Sequence, residues 1–353
     1  MVKALDMEKV SQYVSDGYIS VRDHPTLPLR IYNYTPKAMF DQMWTEETEQ
    51  CRGLVMDHAG NVVARPFRKF HAFQEHIGPL PDGPYEVWEK VDGSLGILFY
   101  HADIGWSIAS RGSFTSDQAI KANEMMQEKY MGHVLHLDPS FTYLLEIIYP
   151  DNRIVINYGA DEKLIMLAAI HTAEGWEMAL TGSEWPHRAE FFSTMTSKDN
   201  PNDLLLLEQP NKEGFVLRYT GNGLRLKVKF SSYLIAHKIL TNTNSKDIWR
   251  ILSTNGSFED LLNRVPDEFY NWVKKTRKSL EDQYDKVLQE YLVIFEGRPS
   301  TESRKETAEY FKGFDRPDIL FAMLEGHDYS KLIWRRLEPK GSVRPFYGNE
   351  DEI

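Results

Sequence analysis

The segment EVWEKVDGSLGILFY, Glu86 to Tyr100, sets Lys90 and the pair Asp92-Gly93 among apolar residues. A free lysine titrates at about pH 10.4, so it is almost wholly ammonium at neutrality. Partial burial and nearby positive charge lower that value and free the amine for nucleophilic attack. Other charged residues also stand where a fold prefers apolar ones. Glu146 interrupts FTYLLEIIYPDNRIVINY, and Glu213 opens the strand-like EGFVLRY. Lys227 and Lys229 alternate with apolar residues in LRLKVKF, so they share one face of a strand. Arg111 lies beside a glycine in SRGSF, and Arg52 and Lys69 lie in CRGLVMD and RPFRKF. Singly, each has a structural explanation: a hairpin turn, a paired carboxylate, the wet face of a sheet. Together they are what handling a nucleoside triphosphate with Mg²⁺ demands, namely cations for phosphate oxygens and carboxylates for a hydrated metal.

Such residues need rigid strands to hold them. The first two thirds of the chain alternate short β-branched and aromatic segments with Gly, Asp and Asn turns. Strands are predicted at GLVMD (53–57), EVWEK, SLGILFY, GWSIAS (105–110), FTYLLEIIY (141–149), RIVINY (153–158), LIMLAAI (164–170), GFVLRY and LRLKVKF. A helix is predicted over 116–131. Most connections are short, which favours an antiparallel α+β domain over a doubly wound one. After Phe230 the periodicity turns helical: SYLIAHKIL, KDIWRIL, a long stretch over 266–295, then 303–311 and 317–324. The expected organisation is an α+β domain over 1–240 followed by an all-α domain over 241–353.

The chain has 353 residues, 42% of them hydrophobic, enough for two cored domains. One cysteine, Cys51, excludes an intrachain disulfide and fits a reducing compartment. With no apolar leader at MVKALDMEKV and only short apolar runs, the expectation is a cytoplasmic, membrane-free protein, as a monomer. The net charge of -11 gives no general support for nucleic-acid binding. Residues 236–353 nevertheless carry 19 Lys/Arg against 21 Asp/Glu, leaving 22 against 31 upstream, and basic clusters lie at 274–278 and 331–346. A solvated helix face is the ordinary use of such clusters. His71, His76 and His101 lack the close ligand spacing of a zinc motif.

In order and spacing, KVDGS, SRGSF, LLEIIYPDNRIVINY, EGFVLRY and LKVKF, with CRGLVMD and RPFRKF upstream, resemble the nucleotidyl-transfer motifs of ligases and RNA capping enzymes. They are most like those of the phage T4 RNA ligase 1 group, which is similar to the ligase domain of fungal tRNA ligases. The resemblance implies an antiparallel nucleotidyltransferase domain that joins 5′-phosphate and 3′-hydroxyl RNA ends through lysyl-AMP and adenylylated RNA, using ATP and Mg²⁺ or Mn²⁺. It implies that Lys90 is the nucleophile and that Asp92-Gly93 is the turn holding it against the triphosphate. Glu146 and Glu213 would serve the metal, with Glu146 also meeting the ribose. Lys227 and Lys229 would take the α-phosphate and orient pyrophosphate; Arg52 and Lys69 would touch nucleotide and triphosphate. Arg111 stands where that group carries a lysine, which keeps charge but changes donor geometry. Ser94 is expected to bond its own turn. Broken tRNA is the implied substrate, with the helical tail conferring choice and separate enzymes healing the ends. Trp272, Trp334, Arg335 and Arg336 are tail candidates for RNA stacking, against a core role for both tryptophans. A DNA ligase, a GTP-dependent capping enzyme and a non-catalytic nucleic-acid-binding protein on the same fold are the alternatives.

Overall fold

The computed structural model describes residues 4–76, 78–180, 184–241, 244–264, 270–300 and 303–339. They fall into two compact units, Met1–Leu240 and Thr241–Ile353. The first unit carries β1 (Ile19–Asp23), β2 (Leu29–Tyr34), β3 (Arg52–Asp57), β4 (Val62–Ala64), β5 (His71–Ala72), β6 (Tyr85–Glu89) and β7 (Ser94–His101). These are followed by β8 (Gly105–Ser110), β9 (Phe141–Ile148), β10 (Lys163–His171), β11 (Glu177–Met178), β12 (Phe191–Met195), β13 (Gly214–Tyr219) and β14 (Arg225–Lys229).

Three sheets form, in the orders β1-β2-β3-β4, β11-β10-β9-β7-β8 and β12-β6-β13-β14-β5. Every named pairing is antiparallel except the short parallel contact of β14 with β5. The central β9 is apolar along almost its whole length because both its faces are covered. Tyr143, Leu145 and Ile147 pack under Met125, Met126 and Tyr130 of the adjoining helical segment. Leu144 meets Leu29, Ile31 and Val55 of the N-terminal sheet on the other side. The predicted helix over 116–131 is interrupted. It runs Asp117–Met125, widens to a π turn at Met126–Tyr130, and ends with Met131–Val134.

In β6, by contrast, residues alternate. Tyr85 and Val87 join the core of the third sheet, while Glu86 and Trp88 turn to its other face. The strands on either side of KVDG belong to different sheets, so Asp92-Gly93 is no hairpin turn. Lys90 to Gly93 is the crossing from one sheet to the next.

Two further expectations are corrected, and most of the N-terminal sheet was not expected at all. Residues 153–158 form no strand, because the backbone N–H groups of Val155 and Ile156 donate to the Asp92 carboxylate rather than to a neighbouring strand. The N-terminal sheet was legible only through β3; LRIYNY in β2 alternates weakly, since Tyr and Asn blur the period. Ser94 bonds Asn152 rather than its own turn, its Oγ lying 3.0 Å from Asn152 Oδ1.

The second unit is helical, with helices at Ser245–Ser253, Glu259–Arg264, Tyr270–Glu296, Arg304–Lys312, Pro317–Glu325 and Ser330–Arg336. The start of the predicted stretch, 266–269, lies outside the described residues, as does 340–346 of the second basic cluster. The core gathers Val287, Tyr291, Phe311, Ile319, Leu320 and Ile333. Trp334 belongs to this packing: it is buried, stacks on Tyr284 at 4.8 Å, and its carbonyl accepts from Trp249 Nε1. Arg336 lies over the Tyr291 ring and donates to its hydroxyl. In the first basic cluster Arg277 and Lys278 pair with Glu281 and Asp282 one helical turn on, the pattern of a solvated face. Among the described residues no helix is long and apolar enough to cross a membrane.

Candidate active site

The strand register gathers Lys90, Lys227 and Lys229 on one face of one sheet. Lys90 continues β6, its N–H donating to the Gly214 carbonyl at 2.9 Å. Opposite it, Gly214 pairs with Lys229, and Val216 pairs with both Lys227 and Trp88. Directly paired residues share a face, so Trp88, Lys90, Lys227 and Lys229 all project from the side of the sheet opposite its apolar core. Gly214 is obligatory here. Its φ is +145°, and a Cβ would lie 2.0 Å from the Val228 carbonyl oxygen.

Glu213 is the hub. Its carboxyl, 2% exposed, has one oxygen 3.0 Å from Lys90 Nζ and 3.2 Å from Lys229 Nζ. The other oxygen, Oε2, is buried without a hydrogen-bond partner. Lys227, two residues from Lys229 on the same strand face, is buried.

Glu146 arrives from the neighbouring sheet, where β9 sets it opposite Leu95 and Ile165. Burial pushes its carboxyl up to about 8; Lys90 draws it down, Glu213 and Asp92 add to the rise, and Arg52 draws it down. The close approach of Glu146 to the sheet crossing explains Gly93. A Cβ there would sit 2.6 Å from Ile148 Cδ1, 2.8 Å from the Ile147 carbonyl oxygen and 3.1 Å from Glu146 Cγ.

Asp92, also buried, uses its carboxylate as a brace. Oδ2 accepts from the Val155 and Ile156 N–H groups at 2.9 and 2.8 Å, and Oδ1 accepts from the Tyr233 hydroxyl at 2.8 Å. The Asp92 N–H donates to the Tyr158 hydroxyl, whose phenol burial pushes well above its usual range. The crossing that carries Lys90 is thus tied to the 153–158 loop and to the helix starting at Ser231. Tyr158, Tyr233 and Asn152 were not identified from the sequence. Their only signal was polar tips in otherwise apolar surroundings.

The upstream cations are spread more widely. Arg52 lies on β3 with Nη1 buried and lacking a hydrogen-bond partner, and its guanidinium is 5.6 Å from the Phe70 ring. Gly53 next to it lets the first two sheets meet: a Cβ would lie 2.9 Å from the Arg111 carbonyl oxygen. Arg111 is exposed, 5.7 Å from the Tyr34 ring. Lys69 is buried, with Nζ 5.2 Å from the Trp44 ring and 5.9 Å from that of Tyr34. Lys69 also lines a cavity of about 1090 Å³ bounded by Trp44, Arg65, Arg68, Arg218 and Arg225. None of Lys90, Glu146, Glu213, Lys227 and Lys229 lines it. Among the described residues no cluster of three or more His, Cys, Asp or Glu stands ready to hold a metal. Glu213 pairs with Lys90, and Lys90 is close enough to Glu146 to draw its titration down.

Comparison with known proteins bears on the same region. A family model of the T4 RNA ligase 1 type, described as RNA ligase, matches residues 50–239. The chain is 22% identical over 401 residues to the RNA ligase of Rhodothermus phage RM378, covering 88% of this chain and 89% of that protein. It is 26% identical over 246 residues to a protein of Autographa californica nuclear polyhedrosis virus assigned as a bifunctional polynucleotide kinase/RNA ligase. That match takes in 62% of this chain but only 35% of the viral protein. Among solved structures, an archaeal ATP-dependent RNA ligase is similar with a TM-score of 0.46 at 13% identity, over 92% of this chain and 96% of the other. A Naegleria gruberi RNA ligase has a TM-score of 0.38 at 14% identity, over 44% and 52%.

Proposed function

The chain belongs to the T4 RNA ligase 1 family, and from that premise we propose that it seals RNA ends at the expense of ATP, with Lys90 as the covalent nucleophile. The observation that carries this is the shared carboxylate: Lys90 and Lys229 both meet Glu213 on the sheet face that Lys227 also occupies. The Lys90 amine attacks the α-phosphorus of ATP, forming a phosphoramidate as pyrophosphate leaves. The AMP then moves to the 5′-phosphate of one RNA, and the 3′-hydroxyl of the other displaces it. Lys227 and Lys229 hold phosphate oxygens and stabilise charge that grows there in each transfer. Asp92 and Gly93 position Lys90, and Arg52, Lys69 and Arg111 supply outer contacts to nucleotide and phosphates.

A divalent ion fits the two carboxylates. Mg²⁺ keeps several waters and is held by one or two carboxylates plus substrate phosphates, so a full protein cage is not required. The unpartnered oxygen of Glu213 and the Glu146 carboxyl, whose charged form burial disfavours, both mark places that a cation would satisfy. When bound, the ion neutralises phosphate charge.

For the substrate, we take broken tRNA with 5′-phosphate and 3′-hydroxyl ends, prepared by separate healing enzymes. The strongly acidic first region is a poor surface for a long polyanion, so the helical unit with its near-balanced charge is assigned to substrate choice. The test is incubation with α-labelled ATP and Mg²⁺, then with 5′-phosphorylated RNA and DNA strands. Label should enter the protein from ATP and not GTP, and only RNA should be sealed. In competition, nicked tRNA should be sealed ahead of a linear strand, and a chain ending at Leu240 should lose that preference.

A further inference from the structure

β12 is an edge strand of the sheet that bears Lys90, and it opens with two exposed phenyl rings, Phe191 at 48% and Phe192 at 46%. Large apolar side chains left open at the rim of a site are informative where scattered ones are not. A bulge between Phe191 and Ser193 sends the two rings to different neighbours. Phe191 pairs with Trp88, and its ring meets the indole edge-on at 5.0 Å. Because Trp88 shares a face with Lys90, Lys227 and Lys229, Phe191 lies on the site face too. Phe192 packs instead on Phe215, at 5.1 Å, a residue of the apolar core.

The register fixes the distance. The Glu89 N–H donates to the Glu190 carbonyl, and the Cα of Phe191 lies about 8 Å from that of Lys90, two residues along and one strand across. Trp88 is pinned, its Nε1 donating to Glu86 Oε2, which also accepts from Arg218. Across the sheet the order is therefore Phe191 on β12, then Trp88 and Lys90 along β6 and its continuation, then, beyond β13, Lys227 and Lys229 on β14. The cations assigned to phosphate lie on one side of the strand that carries Lys90, and Phe191, set against the fixed Trp88, lies on the other.

We propose that Phe191, backed by Trp88, is a stacking platform for a base at the RNA terminus being joined. This rests on the ligase reading above and deepens it. Once Lys90 carries AMP, the incoming RNA end must bring its phosphate to the same phosphorus, and its base is excluded from the cationic side. The aromatic step is open to solvent at a sheet edge, as a polymer requires. Stacking is also indifferent to sequence, as a general end-joining enzyme requires. Glu190 is the exposed like charge beside the platform, and Lys212 pairs with Glu89 and lies 3.8 Å from Glu190, which offsets it.

The test compares Phe191→Leu, which keeps apolar bulk but removes the π face, with Phe191→Ala, Phe191→Trp and Phe192→Ala. Two readouts are taken: the KM for ATP in label transfer to the protein, and the KM for RNA in sealing of pre-adenylylated strands. Phe191→Leu and Phe191→Ala should raise the RNA KM about 10-fold and leave the ATP KM alone. Phe191→Trp should restore binding, and Phe192→Ala, on the core side of the same bulge, should change neither. A raised ATP KM with an unchanged RNA KM would assign the platform to adenine and overturn the proposal. Equal losses in the Phe191 and Phe192 variants would reduce the strand to a structural edge. If the wild-type chain forms lysyl-AMP yet seals no RNA, the ligase reading fails, and this inference with it.

Discussion

Two carboxylates of the same unit, Glu49 and Glu146, respond to burial in opposite ways. Burial would raise Glu49, but His71 and Arg68 outweigh it and hold the carboxyl below its usual range. Burial raises Glu146 to about 8, and Lys90 and Arg52 do not offset it, with Glu213 and Asp92 pushing further up. Around Glu49 the cations are matched. Arg68 pairs with Glu46 and Glu49, and Arg65 donates to the Thr172 and Ala173 carbonyls and to Gln50. Around Glu146 the acceptors are not all used: Lys90 and Lys229 share one oxygen of Glu213 while the other has no hydrogen-bond partner. A satisfied cluster holds a fold together. A cluster in which burial pushes one carboxyl up and leaves an oxygen of another without a hydrogen-bond partner is arranged for something not yet bound.

The largest consequence falls on Lys90. Lys90→Ala should abolish label transfer from α-labelled ATP while still sealing pre-adenylylated RNA, since the amine is needed only for the first step. Next come the carboxylates. Glu213→Gln and Glu146→Gln should each slow both adenylylation and sealing by about 10²-fold or more, the scale of losing one charge-organising group. A Mn²⁺ titration should recover part of the loss. Wild-type rates in both variants across a Mg²⁺ titration would make these carboxylates structural, like Glu49.

The matched cluster should show the reverse. Arg65→Ala strands two carbonyls and the Gln50 amide, so it should cost about 1–3 kcal/mol in urea unfolding and leave label transfer at 25 °C unchanged.

The smallest effect is a pH slope. Glu146, raised in the folded state, keeps its proton where the unfolded chain has released it. Stability is therefore lost as pH rises from the ordinary glutamate range toward about 8. In metal-free buffer Glu146→Gln should gain on the wild type by about 1–3 kcal/mol between pH 5 and pH 8.5. A gain independent of pH would mean that Glu146 is ionised throughout.

Much of this was legible in the sequence, for identifiable reasons. Lys90, Glu146, Glu213, Lys227 and Lys229 are charges inside strand-like apolar runs, and a charge in a strand core must have a purpose. Which sheet each strand joins was not legible. Asp-Gly between two strands signals a hairpin, and only the long-range pairing of β6 with β13 and of β7 with β9 turns it into a crossing. RIVINY is β-branched and apolar, yet Asp92 captures its N–H groups from 63 and 64 positions away, a bond that local propensity does not register. The Phe191 platform was also invisible. FF in a polar loop carries no period, and its direction depends on a bulge.

The central claim is a covalent bond at one atom. The most direct measurement is peptide mapping of wild-type protein incubated with ATP and Mg²⁺ without RNA, followed by acid and by pyrophosphate. The account predicts AMP on Lys90 Nζ alone, in a linkage that acid cleaves and pyrophosphate reverses. AMP on another residue, or an unmodified Lys90 in protein that nevertheless seals RNA, would contradict it.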